Sequence, residues 1–237
     1  MVAACAVAPM VRAEEAPPAW EAKLGLSWLE TSGNTDSSSL GFDATAVRRW
    51  STWIVDADGK LLRAENGGET TADRWSLGAR GTRELSPRMG LSAAARFEAD
   101  DLAGLDRRTV VSGGVVWTLA DTERWKAKLA TELAWTDEQY ADPLADTDFL
   151  GAVIDGRGEW AFSPSAKLLH RLGFWPSFDD SDDYRLLAEV AIQADLNSLL
   201  ALRVGYEWRY DGVPAPGFVS SDRTFTAAVV LTAAAKR

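Results

Sequence analysis

From Trp20 onward, apolar and polar side chains alternate with a period of two, the spacing that sends successive side chains to opposite faces of a strand. Over 200–210, Leu200, Leu202, Val204, Tyr206, Trp208 and Tyr210 fall on one face and Ala201, Arg203, Gly205, Glu207 and Arg209 on the other. A helical period would mix the two sets. The same split runs through 20–28, 91–98, 125–135 and 184–195: one face apolar with aromatic ends, the other charged or small.

Turn residues cut this pattern into about twelve segments, each near the roughly 9–11 residues of a tilted membrane strand. They are placed at 20–30, 37–49, 52–64, 72–84, 89–100, 108–119, 125–138, 149–161, 166–177, 184–195, 198–210 and 223–234. The connections alternate in length. Short turns lie at Trp50-Ser51, Ser86-Pro87-Arg88, 121–124, Ser163-Pro164-Ser165 and Leu196-Asn197, and longer loops at 31–36, 65–71, 101–107, 139–148, 178–183 and 211–222. An even number of strands with this asymmetry predicts an all-β fold, an antiparallel transmembrane β-barrel of about twelve strands with short periplasmic turns and longer extracellular loops. Tryptophans at segment ends agree: Trp20, Trp53, Trp117, Trp125 and Trp160 make a periplasmic girdle, and Trp28, Trp75, Trp135 and Trp208 an outer one. A soluble β-sandwich binding protein would also alternate, but it would not gather tryptophan at strand ends or alternate its loop lengths.

The first residues have another character. The small, apolar run MVAACAVAPMV reads as a signal-peptide remnant over 1–13, followed by a short linker at 14–19 and a single barrel domain over 20–237. Cys5 is either lost with the leader or the acylated residue of a lipoprotein. Beyond residue 20 no apolar run is long enough for a spanning helix, which needs roughly 20 residues.

Composition removes several chemistries. A net charge of -10 argues against nucleic acid as a partner, and one Cys with one His builds neither a zinc site nor a Cys/His pair. His170 alternates with Leu168 and Leu172, on the lipid-facing phase, so no catalytic residues are assigned and an enzyme is not expected. No cofactor or metal site is assigned either.

If the apolar face meets lipid, the charged face lines the lumen. Its acids are Glu21, Asp43, Asp56, Asp58, Glu98, Asp100, Glu132, Asp155, Glu159, Glu189, Asp195 and Glu207. Its bases are Lys23, Lys60, Arg74, Arg80, Arg96, Lys126, Lys128, Arg157, Arg171, Arg185, Arg203 and Arg209. The lists balance, which predicts an ion-paired, narrow lumen rather than a charge-selective pore. Its expected network is Glu21, Lys23, Arg96, Glu98, Lys128, Glu132, Arg157, Glu159, Arg185, Glu189, Arg203 and Glu207. Porins fold a long loop back into the lumen, and the 139–148 connection considered for that role is short, so an inserted loop is not expected. The surplus negative charge then belongs to the loops: the run Asp179-Asp180-Ser181-Asp182-Asp183 with Asp101, Asp106, Asp137, Glu138, Asp142, Asp146, Asp148, Asp211 and Asp222. Such loops are a weak divalent-cation site at most, since the run lacks the ordered spacing of a calcium loop. Gly33-Asn34-Thr35 reads as turn material.

An ordered set of short stretches carries a resemblance: Ser32-Gly33-Asn34-Thr35-Asp36, Glu69-Thr70-Thr71-Ala72-Asp73, Gly104-Leu105-Asp106-Arg107-Arg108, Asp182-Asp183-Tyr184-Arg185, and Tyr206 to Tyr210 followed by Pro214, Gly217 and Asp222. In this order they resemble the domain-of-unknown-function 481 family (DUF481), the YdiY-like, salt-induced outer membrane proteins of Gram-negative bacteria. The resemblance implies an outer-membrane barrel of unsettled function with no catalytic residues to carry over. One departure is the ending Leu231-Thr232-Ala233-Ala234-Ala235-Lys236-Arg237, which lacks the terminal aromatic residue of such barrels. The expected role is a non-enzymatic structural or stress-related envelope protein, exported to the outer membrane; the alternative is a small-solute or ion channel. Its expected partners are outer-membrane lipids, lipopolysaccharide and the barrel-assembly machinery.

Overall fold

A computed structural model describes residues 18–32, 36–141 and 146–235. The leader, Cys5 and the Gly33-Asn34-Thr35 turn lie outside the described residues. Twelve strands follow one another: β1 (Trp20–Thr31), β2 (Ser37–Trp50), β3 (Trp53–Asn66), β4 (Glu69–Ser86), β5 (Met89–Asp100), β6 (Leu105–Asp121), β7 (Trp125–Tyr140), β8 (Thr147–Ser163), β9 (Ala166–Pro176), β10 (Tyr184–Asp195), β11 (Leu200–Asp211) and β12 (Ser221–Ala235). Each pairs antiparallel with its sequence neighbour, and β1 with β12, so the sheet closes into a barrel. Closure satisfies the backbone without an edge along the paired length, which is what lets strands cross a bilayer.

The alternation sorts as a membrane barrel requires. At the end of β12, Val229 and Leu231 are 46% and 51% exposed, while Val230 between them is 0% exposed. A wall residue covered to that degree points into a filled interior; its neighbours point to lipid. Leu24, Leu26, Leu77, Leu133, Leu150, Leu172, Ile192 and Leu202 form the exposed apolar belt. Nine of the ring's tryptophans, Trp20, Trp28, Trp50, Trp53, Trp75, Trp117, Trp125, Trp135 and Trp160, are exposed as well, while Trp208 is half-buried and donates to the Ser221 hydroxyl at 2.8 Å. Trp50 joins this outward set opposite Trp53. Trp175 is the one that turns inward, against Val110, Ala134 and Val153.

Two connections differ from expectation. The β3–β4 loop anticipated over 65–71 is a two-residue turn, Gly67-Gly68, with Asn66 paired to Glu69. Both glycines have positive φ (60° and 83°), the mirror-image turn that matches strand twist and that glycine adopts without penalty. The 101–107 loop is likewise shortened, to a single 3₁₀ turn at Asp101–Ala103 closed by Gly104 at φ 67°.

Inside, the two halves of the lumen differ. In the periplasmic half the inward residues Ile54, Val116, Ala130, Ala201, Val230 and Gln193 are buried while Lys126, Lys128 and Asp195 on the same phase are exposed, so this end is narrowed. The extracellular half holds a cavity of about 500 Å³ lined by charged side chains.

Candidate functional site

The candidate site is this charged lumen. Opposite charges are brought together from strands far apart in the ring, and the distances fix its cross-section. Arg209 of β11 donates to Asp100 of β5 at 3.1 Å, six strands away in a ring of twelve. A round twelve-strand barrel, with strands ~4.8 Å apart and tilted ~40°, has a backbone diameter of about 24 Å. An extended Arg in contact with an Asp holds its Cα no more than roughly 14 Å from its partner's. The barrel is therefore oval, with the β3–β5 wall drawn toward the β9–β11 wall.

The register explains why these bridges are needed. One hydrogen-bonded row carries Lys128, Arg157, Arg171, Glu189 and Glu207 on β7 to β11. Like charges directly opposed on neighbouring strands repel, so each pair needs a counter-ion from outside the row. Asp155 accepts from both Arg157 and Arg171 at 2.7 Å. Lys60 crosses from β3 to sit between Glu189 and Glu207, 3.0 Å from the latter, and Arg74 of β4 donates to Glu207 at 3.0 Å and to Thr224 at 2.8 Å.

Three further clusters complete the interior. Arg80 of β4 makes two bonds of 3.0 Å to Glu132, which also accepts from Ser92 and Ser112 at 2.6 and 2.7 Å. Arg108 donates to Glu98 at 2.8 Å and to Glu138 at 2.5 Å; Glu138 accepts from Arg185 at 2.7 Å and from the Tyr140 hydroxyl at 2.5 Å. Arg96 donates to Asp58 at 2.6 Å, with Arg157 at 3.8 Å from the same carboxylate.

Arg203 of β11 reaches Asp43 of β2 past two intervening strands. The inward positions it crosses are Ala228, opposite Arg203, and Gly25, opposite Asp43. A Cβ at Gly25 would collide with both charged groups, so glycine here is what leaves room for the bridge. Arg203→Glu places a second carboxylate against Asp43 and should lower folding stability by about 2 kcal/mol, with at least half recovered on adding Asp43→Arg. Urea titration read by heat-modifiable gel migration measures both, and an unchanged midpoint in the single variant would remove the bridge from the stabilising set.

Of the twelve residues expected to form the network, Arg96, Glu98, Glu132, Arg157, Arg185, Glu189, Arg203 and Glu207 meet partners contributed by other strands. Glu21 and Lys23 pair only with each other among the ion pairs of the described residues, and Glu159 meets Lys167 at 3.4 Å. Lys128 is exposed and has no ion pair among the described residues; its row neighbour on β8 is another cation, Arg157. Four further members stand outside the expected lumen charges: Glu138 and Asp211, expected in the acidic loops, and Arg108 and Lys167. Glu138 and Arg108 are buried, Asp211 lies 3.7 Å from Arg108 and Lys167 3.4 Å from Glu159. Strands β6 and β7 run three and two residues further than the periodicity marks, to Leu105 and Tyr140, so that Arg108 and Glu138, the end residues of the expected strands, lie well inside the barrel.

The extracellular mouth also departs from expectation. Residues 142–145 of the 139–148 loop are outside the described set; the described loop over the mouth is 212–220, between β11 and β12. Phe218 rests against Gly104, half-way round the ring, and Ala215 is buried beneath it. The sequence signal for it is the apolar triplet Gly217-Phe218-Val219, inside a connection, 211–222, that is longer than 139–148. Near the same rim, Asp183 is packed so that burial, foremost, holds its carboxyl above the ordinary range, aided by Glu138 and Asp211. Among the described residues no group of three or more His, Cys, Asp or Glu side chains converges on a metal position. His170 lies on the outer face, where a Cβ at Gly158 would meet its ring.

A closed antiparallel barrel with an apolar exterior and an ion-paired interior defines the class: a transmembrane β-barrel of the outer-membrane type. A structure of the NanC porin superposes with a TM-score of 0.50 at 9% identity, over 92% of this chain and 100% of that one. The KdgM porin, in complex with disordered oligogalacturonate, reaches 0.46 at 7% identity, over 90% and 97%. The chain belongs to the family described as "Protein of unknown function, DUF481", whose profile matches residues 22–232. It is similar to the uncharacterized protein YdiY of Escherichia coli (strain K12), 23% identical over 200 residues, 82% of this chain and 75% of that one.

Proposed function

We propose that the protein is a non-enzymatic barrel of the Gram-negative outer membrane whose lumen is closed to through-passage, serving a structural or stress-related role in the envelope. The observation that carries this is the set of cross-lumen bridges, Lys60 to Glu189 and Glu207, Arg74 to Glu207 and Arg209 to Asp100, standing above a narrowed periplasmic half. Charges already neutralised by one another offer little field to a passing ion, unlike the one-signed ring of a selective filter. The outward position of His170 supports a non-enzymatic reading, since it keeps the one histidine out of the polar interior. Lipids and lipopolysaccharide would contact the exterior belt, a leader would take the chain to the assembly machinery, and the acidic loops would hold divalent cations weakly. The alternative, a small-solute or ion channel, is favoured by the residual cavity of about 500 Å³ at the extracellular end.

Liposome swelling separates the two. Vesicles carrying the folded barrel, placed in an isotonic solution of arabinose, should swell no faster than protein-free vesicles. Swelling that falls off with increasing sugar size would establish the channel instead.

A further inference from the structure

The seam that closes the barrel is incomplete. β1 and β12 pair from Trp20 with Ala235 to Leu26 with Val229, and stop. Continuing that register would oppose 27–31 to 224–228, and among the described residues no such pairs form, although 27–31 remain paired to β2 and 224–228 to β11. The gap lies in the outer half of the wall, the half in which the cavity sits.

Three observations converge on it. Trp28 and Phe225, which flank the gap on the lipid side, are each 73% exposed, far beyond the other aromatic side chains of the belt, because each has a paired strand on one side only. Leu29 stands on the inward phase of β1 and is still 63% exposed, so its side chain is left uncovered at the edge of the gap. The cavity reaches the same place: Ser27, Thr226 and Asp43 are part of its lining, and the 212–220 loop roofs it with Pro214 and Phe218. The cavity therefore extends to the unpaired stretch of the seam.

We infer that the outer half of the β1–β12 seam is a lateral entrance through which a single-chain amphiphile from the outer leaflet places its polar head in the lumen cavity. The two ends of the opening suit two ends of one molecule: Trp28, Leu29 and Phe225 meet an apolar chain, and Ser27, Thr226 and the Arg203–Asp43 pair meet a polar head. A cavity of about 500 Å³ is within the range of small-molecule sites. This goes beyond the closed-lumen reading and is independent of it, since a pocket filled from the side needs no path through the barrel.

The test is photolabelling of the full chain, folded in phosphatidylcholine vesicles, with dodecanoic acid carrying a diazirine beside the carboxyl, followed by peptide mapping. Labelling is expected on the inward side chains Ser27, Thr45 and Thr226, with a loss on the order of tenfold in Thr226→Trp, which plants an indole in the entrance, and none in Leu133→Ala on the lipid face far from the seam. Heat-modifiable migration shows that each variant is folded; should Thr226→Trp not fold, Ser27→Trp takes its place. Labelling confined to outward side chains, or unchanged in a folded Trp variant, would overturn the lateral entrance. Solute swelling or conductance would leave it standing while overturning the closed lumen.

Discussion

Arg108→Met should be the most damaging single change in the barrel, lowering folding stability by about 3–5 kcal/mol, the cost of leaving buried charges unpaired. Arg108 is 6% exposed at its side chain and is shared by Glu98 at 2.8 Å and Glu138 at 2.5 Å, with Asp211 at 3.7 Å. Methionine keeps most of the volume, so the loss is electrostatic rather than a cavity. Glu138 retains Arg185, but Glu98 keeps no ion pair within 4 Å among the described residues. Adding Glu98→Gln should return roughly half of the lost stability, because the amide no longer needs a counter-charge. Equilibrium unfolding in urea from vesicles measures it; a loss below about 1 kcal/mol would mean that water in the lumen solvates these carboxylates well enough to make the cluster dispensable.

Lys60→Met should act on the lumen more than on stability. It removes the cation from between two carboxylates that the register places directly opposite each other, Glu189 and Glu207. Arg74 remains to hold Glu207, and Arg171 lies 3.8 Å from Glu189, so the barrel should still fold. With the tie between the β3 and β10–β11 walls gone and a surplus negative charge at mid-lumen, steady current on the order of tenfold above the wild-type background is expected, with a cation preference. Adding Glu189→Gln should cancel the preference. Current in Lys60→Met equal to wild type would place the barrier elsewhere, in the narrowed periplasmic half or the 212–220 loop.

The alternation alone was enough for the barrel. The stretches read as 89–100 and 184–195 coincide with Met89–Asp100 and Tyr184–Asp195, and the other ten strands differ by a few residues at their ends. A period of two is a local property and survives in any register. The charge pairing is not local. Arg203 meets Asp43 and Lys60 meets Glu207 because the ring closes with a particular stagger and then flattens, and neither is written in any window of sequence. Glu138 looked like a loop acid because β7 continues past the apolar stretch that marks the membrane. The seam gap left no trace either: Ser27 to Thr31 and Thr224 to Ala228 each read as ordinary strand, and what is missing is the pairing between them.

The most direct test of the closed lumen is planar-bilayer recording of the full-length protein, refolded and shown by heat-modifiable migration to be a barrel. Cross-lumen bridges above a narrowed half give a flat trace, with no unitary steps beyond those of the bare bilayer at any salt concentration, and steps in Lys60→Met recorded alongside. Stable unitary steps from the wild-type protein, growing in proportion to salt, would contradict it and make the ion-paired interior the wall of a working pore.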